Sequence, residues 1–282
     1  MSLRRSVTLC VIDGVLLGLF MASVGVFSGL LYSPASPVYG VIPGDFTRGA
    51  LMGLAMGGTA IGLIYSPWGG MTGAHMNPAV TLAFLRLGRV RPAHALGYIA
   101  SQFLFGLLGV VLIGMLIGDA FSGAPVEYAP TVPGRWGALA AFGAELAMTL
   151  CLMLTLLYVS STKRLAAYTP VFAGAMIFVY ITFEAPVSGM SINPARTLAS
   201  ALPSGRYTAL WVYFTAPPLG MLAAAEVFAR LSRLPRVHCC KLNHLRREVC
   251  VHCGCDGPID FDAHTDERPA SARVTETIDH ER

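Results

Sequence analysis

Two twelve-residue stretches carry most of the polar chemistry in an otherwise apolar chain. TGAHMNPAVTLA (72–83) and SGMSINPARTLA (188–199) agree at seven of twelve positions, and each contains an Asn-Pro-Ala triplet: Asn77, Pro78, Ala79 and Asn193, Pro194, Ala195. Asn is a favoured helix N-cap, and Pro suits the first helical position because the N–H it lacks would find no intrahelical partner there. Each triplet therefore reads as a helix start, with a partial positive charge at its N-terminus. One such triplet would fit a capped surface loop; two in a duplicated setting do not. Asp13 and Glu145 sit within long apolar runs, where an ionisable group is functional by default.

A second cluster, HCCKLNHLRREVCVHCGC (238–255), supplies soft ligands. Cys239, His244, Cys250 and Cys253 follow C-x4-H-x5-C-x2-C, enough for a tetrahedral structural zinc. The spacing is not that of a standard finger; Cys240, His252 and Cys255 are alternative ligands, and free or palmitoylated juxtamembrane cysteines are the competing reading. No nucleophile–base pair, phosphate loop or cofactor fingerprint supports an enzyme, and no basic patch interleaved with aromatics suits nucleic acid.

The elements that must position these groups follow from composition. Of 282 residues, 54% are hydrophobic and only 13% charged, against about 25% charged in a soluble domain. Six apolar segments, roughly 7–31, 48–66, 93–118, 136–159, 168–184 and 207–230, are long enough to cross or nearly cross a hydrocarbon layer of about 30 Å. The first is expected to be a span rather than a cleaved leader, because its apolar run is too long and lacks a small-residue cleavage site. Two shorter pieces, 77–85 and 193–202, read as half-helices. Each copy of the duplication holds three spans, an odd number, so the second must enter the membrane from the opposite face. The expected fold is an all-α membrane protein with six transmembrane helices plus two re-entrant half-helices in an inverted repeat.

This reading divides the chain into a membrane domain at 1–234, with repeats at about 7–118 and 136–230, a Cys/His-rich segment at 235–256, and a polar tail at 257–282 expected to be disordered. Ten Lys and Arg residues fall on the side of the termini, among them Arg4, Arg86, Lys163 and Arg230, against Arg48, Arg135 and Arg206 on the other. Both termini are therefore expected to be cytoplasmic, where thiols stay reduced.

TGAHMNPAVT and SGMSINPAR resemble the paired signatures SGAHxNPAVT and SGxxxNPAR of the aquaporins and glycerol facilitators, the major intrinsic protein family, over about residues 7–230. The resemblance implies a passive channel in the plasma membrane for water and small neutral solutes such as glycerol, urea or ammonia. It also implies a homotetramer with one pore per subunit, and no cofactor for transport. The amides of Asn77 and Asn193 would donate to a permeating oxygen, while the half-helix ends and Arg196 would repel protons and cations.

Further roles come with the resemblance. Arg196 matches the family's filter arginine. Counting back from Asn193 carries the other filter positions onto Met190 and Ile181, a count supported by Pro186. The second-span position falls on Met56, with Met52 or Gly57 as alternatives, since SPWGG (66–70) looks like a small insertion. Water-selective members have a His where this chain has Ile181; glycerol facilitators have two filter aromatics and an Asp where this chain has Thr197. The chain departs from both subclasses. Asp13 and Glu145 match two loop-bracing Glu positions, though Asp13 is one methylene short. Gln102 matches a bracing Gln. His75 matches a His of the first box, either at the pore mouth or satisfied within its loop. Glu184, one turn beyond Ile181, is either an outer-vestibule group or a solvated helix-end charge. Glycine pairs such as Gly14/Gly18, Gly25/Gly29, Gly49/Gly53 and Gly53/Gly57 suit close helix contact, some of it between the repeats. A coupled transporter using Asp13, Glu145 or Glu184, and a membrane-anchored metal or redox sensor, are the competing classes. Neither accounts for both triplets and Arg196.

Overall fold

The computed structural model describes residues 3–42, 44–231, 233–244, 250 and 252–254. Among them the chain is all-helical, in the order α1 (Leu3–Tyr32), α2 (Asp45–Tyr65), α3 (Pro67–Thr72), α4 (Pro78–Arg86), α5 (Pro92–Ile117), α6 (Asp119–Ser122), α7 (Gly137–Ser160), α8 (Thr169–Phe183), α9 (Ala185–Ser188), α10 (Pro194–Ser204) and α11 (Leu210–Arg230). Six of these, α1, α2, α5, α7, α8 and α11, are long and apolar enough to cross a membrane, α8 together with the 3-10 turn that leads into it. Their ends fall within a few residues of the expected spans. Proline opens α3, α4, α5, α8, α9 and α10 in the first turn, where its fixed φ favours the helix and no N–H is lost. The short α3, α6 and α9 were not expected; each is a single turn or little more, too brief for a periodic signal. The expectation of a disordered tail at 257–282 and the alternative ligand Cys255 lie outside the described residues.

Helix pairing repeats itself between the halves. α1 packs on α5 and α3 as α7 packs on α11 and α9, and each half-helix crosses to the other half, α4 onto α11 and α10 onto α5. With three long helices per half, the two copies must run in opposite senses. The halves meet along α2 and α8, where a Cβ at Gly57 would lie 2.5 Å from the Gly174 carbonyl and one at Gly53 would lie 2.7 Å from that of Phe178. Only glycine admits backbones this close. Gly14 and Gly18 act within the first repeat instead, against the carbonyls of Ser101 and Phe105 on α5.

The outer surface is that of a protein in lipid. Met115 and Leu116 are each 79% exposed and Leu139 is 81% exposed, which in water would be a large uncompensated apolar face. Trp68, Trp136 and Trp211, all about half exposed, stand at the starts of α3, α7 and α11, the depth at which amphipathic rings meet a membrane–water boundary.

Candidate functional site

Asn77 and Asn193 cap α4 and α10. The Asn77 side chain accepts from Ala79 N at 2.9 Å, and that of Asn193 accepts from Ala195 N at 3.0 Å and Arg196 N at 3.2 Å. Each amide then reaches across to the other box: Asn77 Nδ2 donates to Ile192 O and Asn193 Nδ2 to Met76 O, both at 2.7 Å. The two half-helix N-termini are thereby tied end to end at mid-molecule. An Asn amide has two N–H groups, and one on each has no protein partner among the described residues while both side chains line a cavity.

The segments leading into the half-helices are bent the same way. Gly73, Ala74 and Met76 have positive φ, as do Gly189, Met190 and Ile192 at the equivalent places. Non-glycine residues hold this conformation only where the surroundings over-determine it, and two buried carboxylates do so here. Asp13 Oδ1 and Oδ2 accept from His75 N at 2.9 Å and Met76 N at 3.1 Å. Glu145 Oε1 and Oε2 accept from Ser191 N and Ile192 N, both at 2.7 Å. The missing methylene of Asp13 therefore does not prevent its reach; its bonds are somewhat longer. Gln102 Nε2 donates to Asp13 Oδ2 at 2.7 Å, and Ser188 Oγ donates to Glu145 Oε1 at 2.9 Å. Both acids are fully buried behind the segments they hold.

A cavity of about 530 Å³ passes both boxes. Its wall on α2 runs from Asp45 to Ile64, nineteen residues apart and so about 28 Å of helix, close to the thickness of a bilayer core. Ile181, Met190, Met56, Met52 and Arg196 all line it. Gly57, the third alternative for the second-span position, is set against Gly174 instead. Arg196 is anchored by a bond from its Nη1 to Ala129 O at 3.0 Å. Ala129 follows Glu127 and Tyr128 in a left-handed turn, an anchor that no local pattern in the sequence announced.

Glu184, at the C-cap of α8, is partly buried and does not line the cavity. Its Oε2 shares the single Ser188 hydroxyl with Glu145 Oε1, each at 2.9 Å, which places it behind the second segment beside Glu145. His75 lines the cavity with both ring nitrogens engaged, Nδ1 with Thr81 Oγ1 at 3.1 Å and Nε2 with Cys240 O at 3.0 Å. That second contact was not legible in the sequence, because it brings the Cys/His segment against the first re-entrant segment. Cys239, His244, Cys250 and Cys253 come together there, with ligand atoms all within 4.8 Å of one another. The neighbouring thiols of Cys239 and Cys253 hold the pKa of Cys250 below the usual thiol range.

Six spanning helices, two opposed half-helices and a cavity running the depth of the bundle define a helical membrane pore protein. The sequence profile described as Major intrinsic protein matches residues 14–228, and the chain belongs to that family, whose aquaporins are channels rather than enzymes. It is an integral, multi-pass membrane protein.

Among its relatives, Aquaporin NIP1-3 of Oryza sativa subsp. japonica is 34% identical over 59% of this chain and 56% of its own length. Aquaporin NIP1-4 of the same plant is 32% identical over 67% and 69%, and Nodulin-26 of Glycine max 33% over 59% and 59%. The chain thus spans little more than half the length of two of these three. An aquaglyceroporin from Plasmodium falciparum superposes with a TM-score of 0.64 at 19% identity, over 82% of this chain and 97% of that one; this likeness bears on the fold alone.

Proposed function

We propose that the chain is a passive membrane channel for water and small neutral solutes, with glycerol, urea and ammonia as candidates. The observation that carries this reading is the cavity lined at mid-depth by both triplet asparagines and beyond them by Arg196. The spare N–H of each amide would donate to a passing oxygen, the two half-helix N-termini would repel cations, and Arg196 would add a fixed positive charge. Ile181, Met190 and Met56 make the remaining ring apolar, and flexible methionines set no sharp radius. The ring therefore suits small neutral solutes as well as water. The zinc-ligand cluster aside, transport needs no cofactor in this reading.

A coupled transporter would need carboxylates along the path. Asp13 and Glu145 are instead occupied by backbone N–H groups behind it, so the passive reading is preferred. We also propose cytoplasmic termini in the plasma membrane and a homotetramer in the bilayer, from the charge asymmetry and the family. Osmotic shrinkage of proteoliposomes, measured by stopped flow with and without a metal chelator, tests the channel. Flux above protein-free vesicles in either condition is expected; none in both contradicts it.

A further inference from the structure

The Cys/His segment does more than lie near the pore. Leu242 N donates to Gly73 O at 3.2 Å, Lys241 Nζ to Gly70 O at 2.8 Å and Asn243 Nδ2 to Ile64 O at 3.2 Å, while Cys240 O accepts from His75 Nε2. Four consecutive residues are thus bonded to the end of α2, to α3 and to the first re-entrant segment. The Leu242 side chain is 4% exposed and forms part of the cavity wall beside Ile64 and His75. Residues 240–243 therefore sit in the mouth of the cavity on the face where α1 begins and α11 ends.

The same four residues are bracketed by ligands, Cys239 on one side and His244 on the other. Cys239 Sγ and Cys250 Sγ are 3.6 Å apart, and His244 Nε2 is 3.3 Å from Cys253 Sγ. A tetrahedral site with Zn–S of about 2.3 Å and Zn–N of about 2.0 Å has edges of roughly 3.5–3.8 Å, so the four ligand atoms, all within 4.8 Å of one another, would draw together by at most about 1 Å to hold the ion. Three thiolates and one imidazole around Zn2+ would leave one negative charge, and the Arg89 guanidinium lies within electrostatic reach of Cys239, Cys253 and Cys240. Val237 and Leu242 pack into the core of the bundle, and in small metal-binding folds the metal supplies further folding free energy.

We propose that Cys239, His244, Cys250 and Cys253 bind one Zn2+, and that the metal, by fixing both ends of 240–243, holds Leu242 as a plug in the pore mouth. The metal site stands on its own geometry; the plug rests on the channel reading above. Because the ion binds the ordered segment and not the released one, its removal shifts the population toward the open mouth.

The test uses the full chain purified without chelator. Metal analysis is expected to find about one zinc per chain in wild type and in Leu242→Ala, and far less in Cys250→Ser. In stopped-flow shrinkage assays, a membrane-permeant chelator is expected to raise wild-type permeability about tenfold, with zinc restoring the low value. Leu242→Ala should conduct with zinc still bound, and Cys250→Ser should conduct with no response to chelator. Absence of zinc from wild type, or a Cys239–Cys250 disulfide in its place, would overturn the metal site. Equal flux in zinc-loaded wild type, chelated wild type and Leu242→Ala, all above empty vesicles, would overturn the plug and leave the channel standing. No flux in any of them would contradict the channel and the plug together, while the zinc count still reports on the site.

Discussion

Both re-entrant segments line the cavity, but in the first repeat 73–77 hangs from Asp13 and is covered by residues 240–243, whereas in the second 189–193 hangs from Glu145 beside Arg196. Both use the same alternation of left-handed residues, the same bidentate carboxylate and the same Asn cap. What differs is what lies beyond. One mouth ends on a cation held by a backbone carbonyl, the other on four residues of chain held by one backbone bond and three bonds from side chains. A duplicated scaffold thus supports two unlike ends; in the proposed function one would choose what enters and the other would decide whether anything passes.

The largest expected effect concerns the braces. Glu145→Ala leaves the N–H groups of Ser191 and Ile192 buried without an acceptor, at about 1–3 kcal/mol each, so a stability loss of about 2–6 kcal/mol is expected in thermal unfolding in detergent. Asp13→Ala orphans two amides likewise, but the Cys/His segment still grips Gly73 and His75, so its loss should be smaller and should deepen on chelation. Equal losses, unaffected by chelator, would remove that segment's part in the comparison.

Next in size is the filter cation. A barrier change of about 1.4 kcal/mol is about tenfold in rate, and Arg196→Ala is expected to raise glycerol flux by about that factor in chelated protein while weakening exclusion of protons. An unaltered glycerol rate would move the selective ring away from the second mouth. Smaller again, Ile181→His adds a donor and bulk to the ring and is expected to favour water over glycerol by about two- to fivefold. An unchanged ratio would show that the count from Asn193 to Ile181 is misplaced.

The fold was largely legible because its signals are local. Apolar runs mark the long helices to within a few residues, and Asn followed by Pro marks both half-helix starts. The single-turn helices α3, α6 and α9 gave no such signal. The candidate site was legible in part. Counting along the chain reaches residues that line the cavity, Ile181, Met190 and Met56, but it leaves Met52 and Gly57 open beside Met56, because which side of α2 faces the cavity depends on how Gly57 seats against Gly174. Asp13 looked too short because side-chain length alone says nothing of where the backbone stands. Helical spacing leaves Glu184 either at the vestibule or at a solvated helix end, and says nothing of the Ser188 hydroxyl that it meets behind the segment. The contact between His75 and Cys240 joins residues 165 positions apart, a separation at which no local pattern operates.

The claim on which the rest depends is that the two capped half-helices frame an open, passive path. The most direct test is water permeability of proteoliposomes holding the metal-free full chain, recorded by stopped flow alongside a proton-sensitive dye. Shrinkage much faster than in protein-free vesicles, with an imposed proton gradient preserved, is the predicted result. Shrinkage no faster than in empty vesicles, or solute uptake that requires an ion gradient, would contradict it.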